Sequence, residues 1–441
     1  MTNNGKSASG KSNDLNENQP DNQVTRRDFL NAFAAVAGTT LLSASLPWLT
    51  GVTAQAGQAA SPSNRVQLGF IGTGSRGCYL LELLRRVPNA DVAAICDNYP
   101  PNLQKGLELT GGKAKTYTNY KDLLARNDLD AVLIATPLYE HFQMVIDALA
   151  AGKHVFCEKS MAMLPEQCLQ MVQAQKQSGK ILQIGHQRLF DIKFLRAMEM
   201  IRSGDIGKIT QVRAYWHRNN DWRRPVPSPD LERKINWRLY KEYSCGLMTE
   251  LASHQIQVAN WALGAFPESV SGSGSINYWH DGREVYDNVN LVYRYPGGIH
   301  LIYDSLTSNK KYGLEEQLEG NKGTIEPEAN RFYLENPPAA PGIVQLVNSI
   351  EHKIFDAVPI GGPSWVPENP SEDKGHSLHD KVINSDGSDM EMEAFVAMVR
   401  DGRAVPGHLE QAYYATVSAL LGHQAMLENR IIAWPKELIL Q

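Results

Sequence analysis

The chain has 441 residues, enough for two or three domains, and its 42% hydrophobic and 21% charged residues are ordinary for a water-soluble globular protein. The formal charge of −5 is mild, and the first 56 residues contribute four basic and four acidic groups that cancel. Neither nucleic acid nor an anionic membrane surface is therefore an expected partner. Residues 1–24 are polar and read as disordered. Thr25-Arg26-Arg27-Asp28-Phe29-Leu30 then places a twin arginine before a moderately apolar stretch, Asn31 to Trp48, and Ala54-Gln55-Ala56 offers a small-residue cleavage site. A basic tail or a membrane anchor would be the alternatives, but the stretch is broken by Gly, Ser and Thr and is short for a spanning helix. Residues 1–56 are thus expected to be a disordered N-terminus and twin-arginine signal, leaving an exported, periplasmic protein with no stable membrane span after cleavage. That route carries folded proteins, often with a cofactor already bound.

Apolar runs and helix-like stretches then alternate. Val66–Ile71 reads as a strand and Cys78–Arg86 as a helix; Asp91–Cys96 and Asp130–Thr136 read as strands. Leu138–Ala151 is an expected helix, His154–Cys157 a strand, Pro165–Gln177 a helix with Gly179 beyond its end, and Ile181–Ile184 a last strand. This pattern predicts an α/β fold with a doubly wound parallel sheet over 65–187. A second domain follows over 188–441. The five cysteines, Cys78, Cys96, Cys157, Cys168 and Cys245, are an odd set without metal-type spacing, and buried thiols are expected.

The turn Gly72-Thr73-Gly74-Ser75-Arg76-Gly77 follows the first strand and opens the first helix. Its first Gly suits the tight bend, the second lets backbone approach a pyrophosphate, and the third allows close helix–strand packing. Asp97 comes 20 residues after Gly77, at the end of the second strand, where a carboxylate accepts ribose hydroxyls. A 2′-phosphate would face that charge, and residues 98–102 contain no Arg or Lys to relieve it. NAD is therefore the expected cofactor in preference to NADP.

Two further stretches add specificity: Ala135-Thr136-Pro137-Leu138-Tyr139-Glu140-His141, and Ala151-Gly152-Lys153-His154-Val155-Phe156-Cys157-Glu158-Lys159-Ser160. With the glycine turn they resemble the glucose–fructose oxidoreductase/inositol dehydrogenase (Gfo/Idh/MocA) family, whose pattern reads TP-x-x-x-H and then AGKHV-x-x-EKP. The resemblance covers roughly residues 65–300. It implies a Rossmann domain followed by an α/β domain with a large, open, mostly antiparallel sheet, substrate between the two, and a homo-oligomer. It also implies that Thr136, Pro137, His141, Glu158 and Lys159 flank the cofactor. Ser160 stands where the pattern has proline, and serine lacks proline's easy cis bond.

Oxidising a secondary alcohol requires a base within hydrogen-bond reach of the hydroxyl. A lysine in the cleft beside an oxidised nicotinamide should have a lowered pKa from burial and like charge, and Lys159 matches the family's lysine. Gly246–Val258 reads as one helix, with Glu250 and His254 at i and i+4, where the carboxylate could orient the imidazole. The family pattern there is D-x-x-x-H, with the histidine as acid/base; Glu250 replaces the aspartate. Lys159, His254 and Glu250 are the expected catalytic groups. The resemblance places Gly185-His186-Gln187-Arg188 near the nicotinamide, making His186 a cofactor-side and Arg188 a substrate-side candidate. The segment from Tyr215 to Tyr243 is rich in aromatics and arginines that suit sugar faces and hydroxyls or simple packing, and Trp237 and Arg238 are the expected substrate contacts. No histidine set has ligand spacing, so no metal is expected.

Ser269–Tyr278, Asn288–Tyr295, Ile299–Leu306, Leu314–Glu319 and Thr324–Leu334 read as strands, 336–386 as a long loop, and Glu391–Arg400 and Gln411–Leu427 as helices. The leading expectation is a nicotinamide oxidoreductase acting on a sugar, sugar derivative or cyclitol with a tightly held cofactor, since export removes it from free NAD. An NAD-dependent glycosidase working by transient oxidation, elimination and hydration is the alternative. A non-catalytic sugar-binding protein of the same fold is the third.

Overall fold

The computed structural model describes residues 65–335, 374–380 and 385–441. The signal reading of 1–56 and most of the 336–386 loop lie outside the described residues. Six strands form a first sheet: β1 Val66–Ile71, β2 Ala90–Cys96, β3 Lys115–Tyr117, β4 Ala131–Ile134, β5 His154–Glu158 and β6 Leu182–Gly185. They pair in parallel in the order β3-β2-β1-β4-β5-β6, the doubly wound order whose direction reverses between β1 and β4. Their apolar runs fit burial on both faces: Leu68, Phe70 and every residue of β4 are excluded from solvent.

Helices α1 Ser75–Leu84, α2 Pro100–Leu109, α3 Tyr120–Leu124, α4 Leu138–Ala150, α5 Pro165–Ser178 and α6 Ile192–Ser203 connect and flank these strands. Four of these elements, α2, β3, α3 and α6, have no counterpart among the sequence expectations. Helix α2 fully buries only Gly106, with Leu103 and Leu107 partly buried against the first-sheet core; β3 is a three-residue, largely exposed edge strand. All five loops that follow β1, β2, β4, β5 and β6 open on one edge of the sheet. The glycine turn, Asp97, Thr136, Lys159 and His186 are thereby gathered at the carboxyl ends of the strands, where open α/β sheets bind ligands.

The second sheet comprises β7 Ile209–His217, β8 Ser269–Ser275, β9 Asn288–Arg294, β10 His300–Leu306, β11 Leu314–Gly320, β12 Gly323–Glu326, β13 Arg331–Leu334, β14 His376–Ser377 and β15 Ile432–Ala433. Their order is β14-β13-β12-β11-β7-β10-β9-β8-β15. Every pairing is antiparallel except β7 with β10. The expected single strand Thr324–Leu334 is two, β12 and β13, because the chain reverses at Asn330, whose φ is +55°. Strand β9 alternates buried Val289, Leu291 and Tyr293 with outward Asn290, Val292 and Arg294, so one face is packed and the other open.

The packed face is covered by helices α7 Ser253–Leu263 and α9 His408–Glu428. Between them in sequence, α8 Ser388–Asp401 returns to the first sheet, where Phe395 meets Phe156 edge-on at 5.7 Å. Such a pair adds about 0.5–1.5 kcal/mol beyond its burial. The expected helix over Gly246–Val258 runs unbroken from Leu247 but is not regular: Met248–Ala252 forms a wider π-helical turn that leads directly into α7 at Ser253. All five cysteines are free and buried. No helix among the described residues is long and apolar enough to cross a membrane.

Candidate active site

The glycine turn is shaped by contacts that only glycine permits. Gly72 adopts φ +91°, and a Cβ on Gly77 would lie 2.0 Å from the Gly72 carbonyl oxygen, so α1 can start this close to β1 only without one. A Cβ on Gly74 would meet only the Asn102 side chain, at 3.8 Å. Gly74 caps α1 without a side-chain hydrogen bond, which leaves the first amides of the helix facing open space. That cradle fits the pyrophosphate of a dinucleotide.

Asp97 is held beside it. Its Oδ2 accepts from the Thr73 amide at 2.8 Å and Oδ1 from the Tyr99 amide at 2.8 Å. A partly exposed carboxylate fixed this way can still receive ribose hydroxyls. The local absence of cations in 98–102 does not carry over to three dimensions, however. Lys234 donates to the Asn98 carbonyl at 3.2 Å and lies 5.7 Å from the Tyr99 ring centre. A charge is therefore available here that the NAD-over-NADP argument assumed missing.

Strand β5 delivers Glu158 and Lys159 to a cavity of about 260 Å³ between the two sheets. Glu158 Oε1 accepts from Arg76 Nε at 2.6 Å, tying the glycine turn to β5. The Lys159–Ser160 peptide is cis, although serine stands in proline's place. His141 clips this turn to the start of α4, its ring nitrogens 2.9 Å from the Ser160 carbonyl and 3.0 Å from that of Thr136. Lys159 Nζ donates to the carbonyls of Glu250 at 2.6 Å and Thr249 at 3.2 Å, both in the π-helical turn. Burial lowers the Lys159 pKa from its ordinary 10.5, with Glu250 and Glu158 partly opposing. Nζ is anchored on one side by these two carbonyls, and the rest of the amine faces the cavity.

His254 lines the same cavity, with Trp216 at 5.8 Å and His186 at 5.9 Å between ring centres. Its Nδ1 is buried without a partner. Burial, then Lys159 and Arg188, push its pKa well below the ordinary 6.5, so the ring is neutral.

A family model for oxidoreductases of the Gfo/Idh/MocA type, with an NAD-binding Rossmann fold, matches residues 66–186, and the model of the Gfo/Idh/MocA C-terminal domain matches 194–326. This chain belongs to the Gfo/Idh/MocA oxidoreductase family. It is 32% identical over 200 residues to an inositol 2-dehydrogenase/D-chiro-inositol 3-dehydrogenase of Lactiplantibacillus plantarum, a match spanning 45% of this chain and 51% of that protein. It is 25% identical over 357 residues to a glycosyl hydrolase family 109 protein of Shewanella baltica, spanning 71% of this chain and 76% of that one. Its fold is similar to that of levoglucosan dehydrogenase in complex with NADH and levoglucosan, with TM-score 0.63, 18% identity, and coverage of 84% of this chain and 100% of that one. The family is one of NAD-binding oxidoreductases, and the present residues form its two sheets.

Within this Gfo/Idh/MocA cleft the structure brings together Arg76, Thr136, His141, Glu158, Lys159, Trp237, Arg238, Glu250 and His254. Thr73 turns away to hold Asp97, and Pro137 starts α4. Three expectations need correcting. Glu250 does not orient His254: its carboxylate accepts from Arg238 Nε at 2.7 Å, and its backbone carbonyl holds Lys159. Burial would raise the Glu250 pKa, but Arg238 and Lys159 outweigh it and hold the carboxyl below its usual range. Arg188 is not free for substrate. It is buried, ion-paired with Glu316 and with Glu328, the latter at 2.6 Å. His186 is fully buried behind His254 and does not line the cavity. The cavity also includes Gln187, Trp216 and Arg218, of which Arg218 is absent from the sequence expectations. Its signal is present in the chain: Arg218 directly follows β7, two residues after Trp216, and its guanidinium lies 4.9 Å from the Trp216 ring centre.

Proposed function

We propose that this protein oxidises or reduces a hydroxyl carbon of a sugar, sugar derivative or cyclitol, with NAD held through successive turnovers. The observation that carries the reading is the buried Lys159 amine, fixed by the Thr249 and Glu250 carbonyls in a cavity beside His254. Bound nicotinamide would supply the hydride acceptor or donor. Lys159 takes the hydroxyl proton during oxidation and returns it during reduction. His254, neutral and with Nδ1 unpartnered, offers a second hydrogen-bonding group to the same oxygen or its neighbour. Arg238 is restrained by Glu250 and by stacking 4.2 Å from the Trp237 ring centre, a rigid edge for hydroxyl recognition.

Retention of the cofactor is supported by the segment that leaves β7. It crosses to the first sheet twice: Arg224 Nη1 donates to Ser75 Oγ at 3.1 Å, beside the start of α1, and Lys234 reaches Asn98. Two cations thus span the two ends of the cradle expected to hold pyrophosphate and ribose. The twin-arginine reading of residues 25–56 gives such retention a use, since an exported enzyme meets no pool of free nicotinamide. The reading is tested by denaturing the mature protein after gentle purification and quantifying released NAD(H), for which near-stoichiometric amounts are expected. Protein free of nucleotide would sink the retained-cofactor part. Arg224→Ala should speed NADH release, followed by its fluorescence, about tenfold or more, as removal of a charge-assisted hydrogen bond does. An unchanged rate would show that the Arg224–Ser75 contact does not hold the cofactor in place.

Similarity to the glycosyl hydrolase family 109 protein favours a second reading, in which the same groups serve transient oxidation followed by elimination and hydration. Incubation with aryl glycosides separates the two. Release of free phenol without net change in NADH would favour hydrolysis, whereas the oxidoreductase reading expects none.

A further inference from the structure

Three arginines, a lysine and two carboxylates line the cavity: Arg76, Arg218 and Arg238, Lys159, and Glu158 and Glu250. The carboxylates are both taken. Glu158 pairs with Arg76 at 2.6 Å and Glu250 with Arg238 at 2.7 Å. Lys159 is spent on backbone carbonyls. Arg218 is what remains. Its Nε is buried and without any hydrogen-bond partner, and no carboxylate among the described residues pairs with its guanidinium. The side chain as a whole is half-buried at the cavity, and with no protein acceptor its guanidinium keeps donors free for an acceptor that a ligand brings.

The contrast with Arg188 is instructive, because it stands beside the same tryptophan, 5.8 Å from the Trp216 ring centre, and has two glutamates of its own. Arg218 lies 4.9 Å from that ring centre on a strand end that faces substrate space. Trp216 in turn is 5.8 Å from His254. A pyranose or cyclitol ring lying against Trp216 would therefore present one hydroxyl to Lys159 and His254 and a substituent to the forked donors of Arg218. The substituent that answers a lone guanidinium is an oxyanion, bound through paired N–H donors.

We propose that the substrate is an acidic sugar or cyclitol, carrying a carboxylate or phosphate that Arg218 receives. The neighbour proteins named above act on inositol or carry levoglucosan, which are uncharged, so the charge is a property assigned to this chain from its own residues. The inference rests on the reading of this cavity as a sugar or cyclitol site.

The test uses the NADH-loaded full-length protein and measures equilibrium binding by calorimetry, independent of turnover. The probes are glucuronate, galacturonate and mannuronate, glucose 6-phosphate and galactose 6-phosphate, each beside its neutral parent sugar. At least one acid is expected to bind about tenfold or more tightly than its parent, the scale of one charge-assisted hydrogen bond. Preference for uronates over phosphates, or the reverse, identifies the oxyanion. Arg218→Met should bring the preferred acid to the affinity of its parent while leaving the parent's own affinity and NADH binding in place. Neutral sugars binding as tightly as every acid, no acid binding at all, or an acid preference that survives Arg218→Met would each overturn the proposal. Acid binding without hydride transfer would leave it standing and count against the oxidoreductase reading; hydride transfer from neutral sugars, indifferent to Arg218→Met, would do the opposite.

Discussion

Lys159→Met is expected to lower kcat/KM for hydride transfer by about 10²–10⁴-fold, the range in which a positioned acid or base contributes, while NAD(H) stays bound. Methionine keeps most of the side chain's length and apolar stem but can neither accept nor return a proton. The surrounding turn has other ties. Ser160 Oγ donates to the Thr249 carbonyl at 3.0 Å and Ser253 Oγ to the same atom at 3.2 Å, so the π-helical turn does not depend on the amine alone. The pH profile of the wild-type enzyme supplies a second reading. Oxidation needs Lys159 uncharged, and burial places its pKa below the ordinary 10.5, so the rate should rise with pH through a value under 10.5 and then level. Reduction needs the protonated amine and should fall over the same interval. In Lys159→Met both limbs should vanish. A variant that retained wild-type kcat/KM with the same pH dependence would move the proton transfer to another group of the cavity, such as His254.

What can be read from residue order alone follows from range. Apart from β3, the strands of the first sheet are short apolar runs, and helices α4 and α5 are bounded by prolines or glycines, so these appear within windows of ten to fifteen residues. The glycine turn, Asp97 and the Thr136–His141 and Glu158–Lys159 stretches are similarly local, each attached to the end of one strand. Residue order misleads where a partner is distant or the helical phase shifts. Arg188 reads as available because Glu316 and Glu328 lie 128 and 140 residues away, and only the second sheet brings them onto it. Glu250 and His254 would share a side of a regular α-helix, but the π-helical turn at Met248–Ala252 changes the angle between them and sends the carboxylate to Arg238. Lys234 sits 136 residues from Asn98, so no window around Asp97 can reveal it. Helix α2 escapes for another reason: its prolines announce a start, but its apolar contacts are few and only partly buried, Leu103, Leu107 and Leu109.

Replacing Gly77 with alanine should remove cofactor binding and destabilise the protein together. The added Cβ would lie 2.0 Å from the Gly72 carbonyl oxygen and 3.0 Å from its carbon, both backbone atoms of a turn already committed to φ +91°. Relief requires α1 to back away from β1, which breaks the packing of Leu80, Leu81 and Leu84 against the first sheet. Overpacking of this kind costs about 1–3 kcal/mol, and the helix amides would leave their cradle. Gly74→Ala separates the two effects. Its Cβ meets only the Asn102 side chain at 3.8 Å, so the thermal midpoint should move little. The methyl would nevertheless occupy the space through which a pyrophosphate must approach the amides. Each amide–phosphate hydrogen bond is charge-assisted and several would be broken at once, so NADH affinity should fall by about 100-fold or more. Fluorescence titration of both variants, alongside thermal unfolding, gives the comparison. If Gly74→Ala bound NADH like the wild type, the pyrophosphate would not lie at the start of α1. If Gly77→Ala unfolded at the wild-type temperature, the close approach of helix and strand would not depend on that glycine.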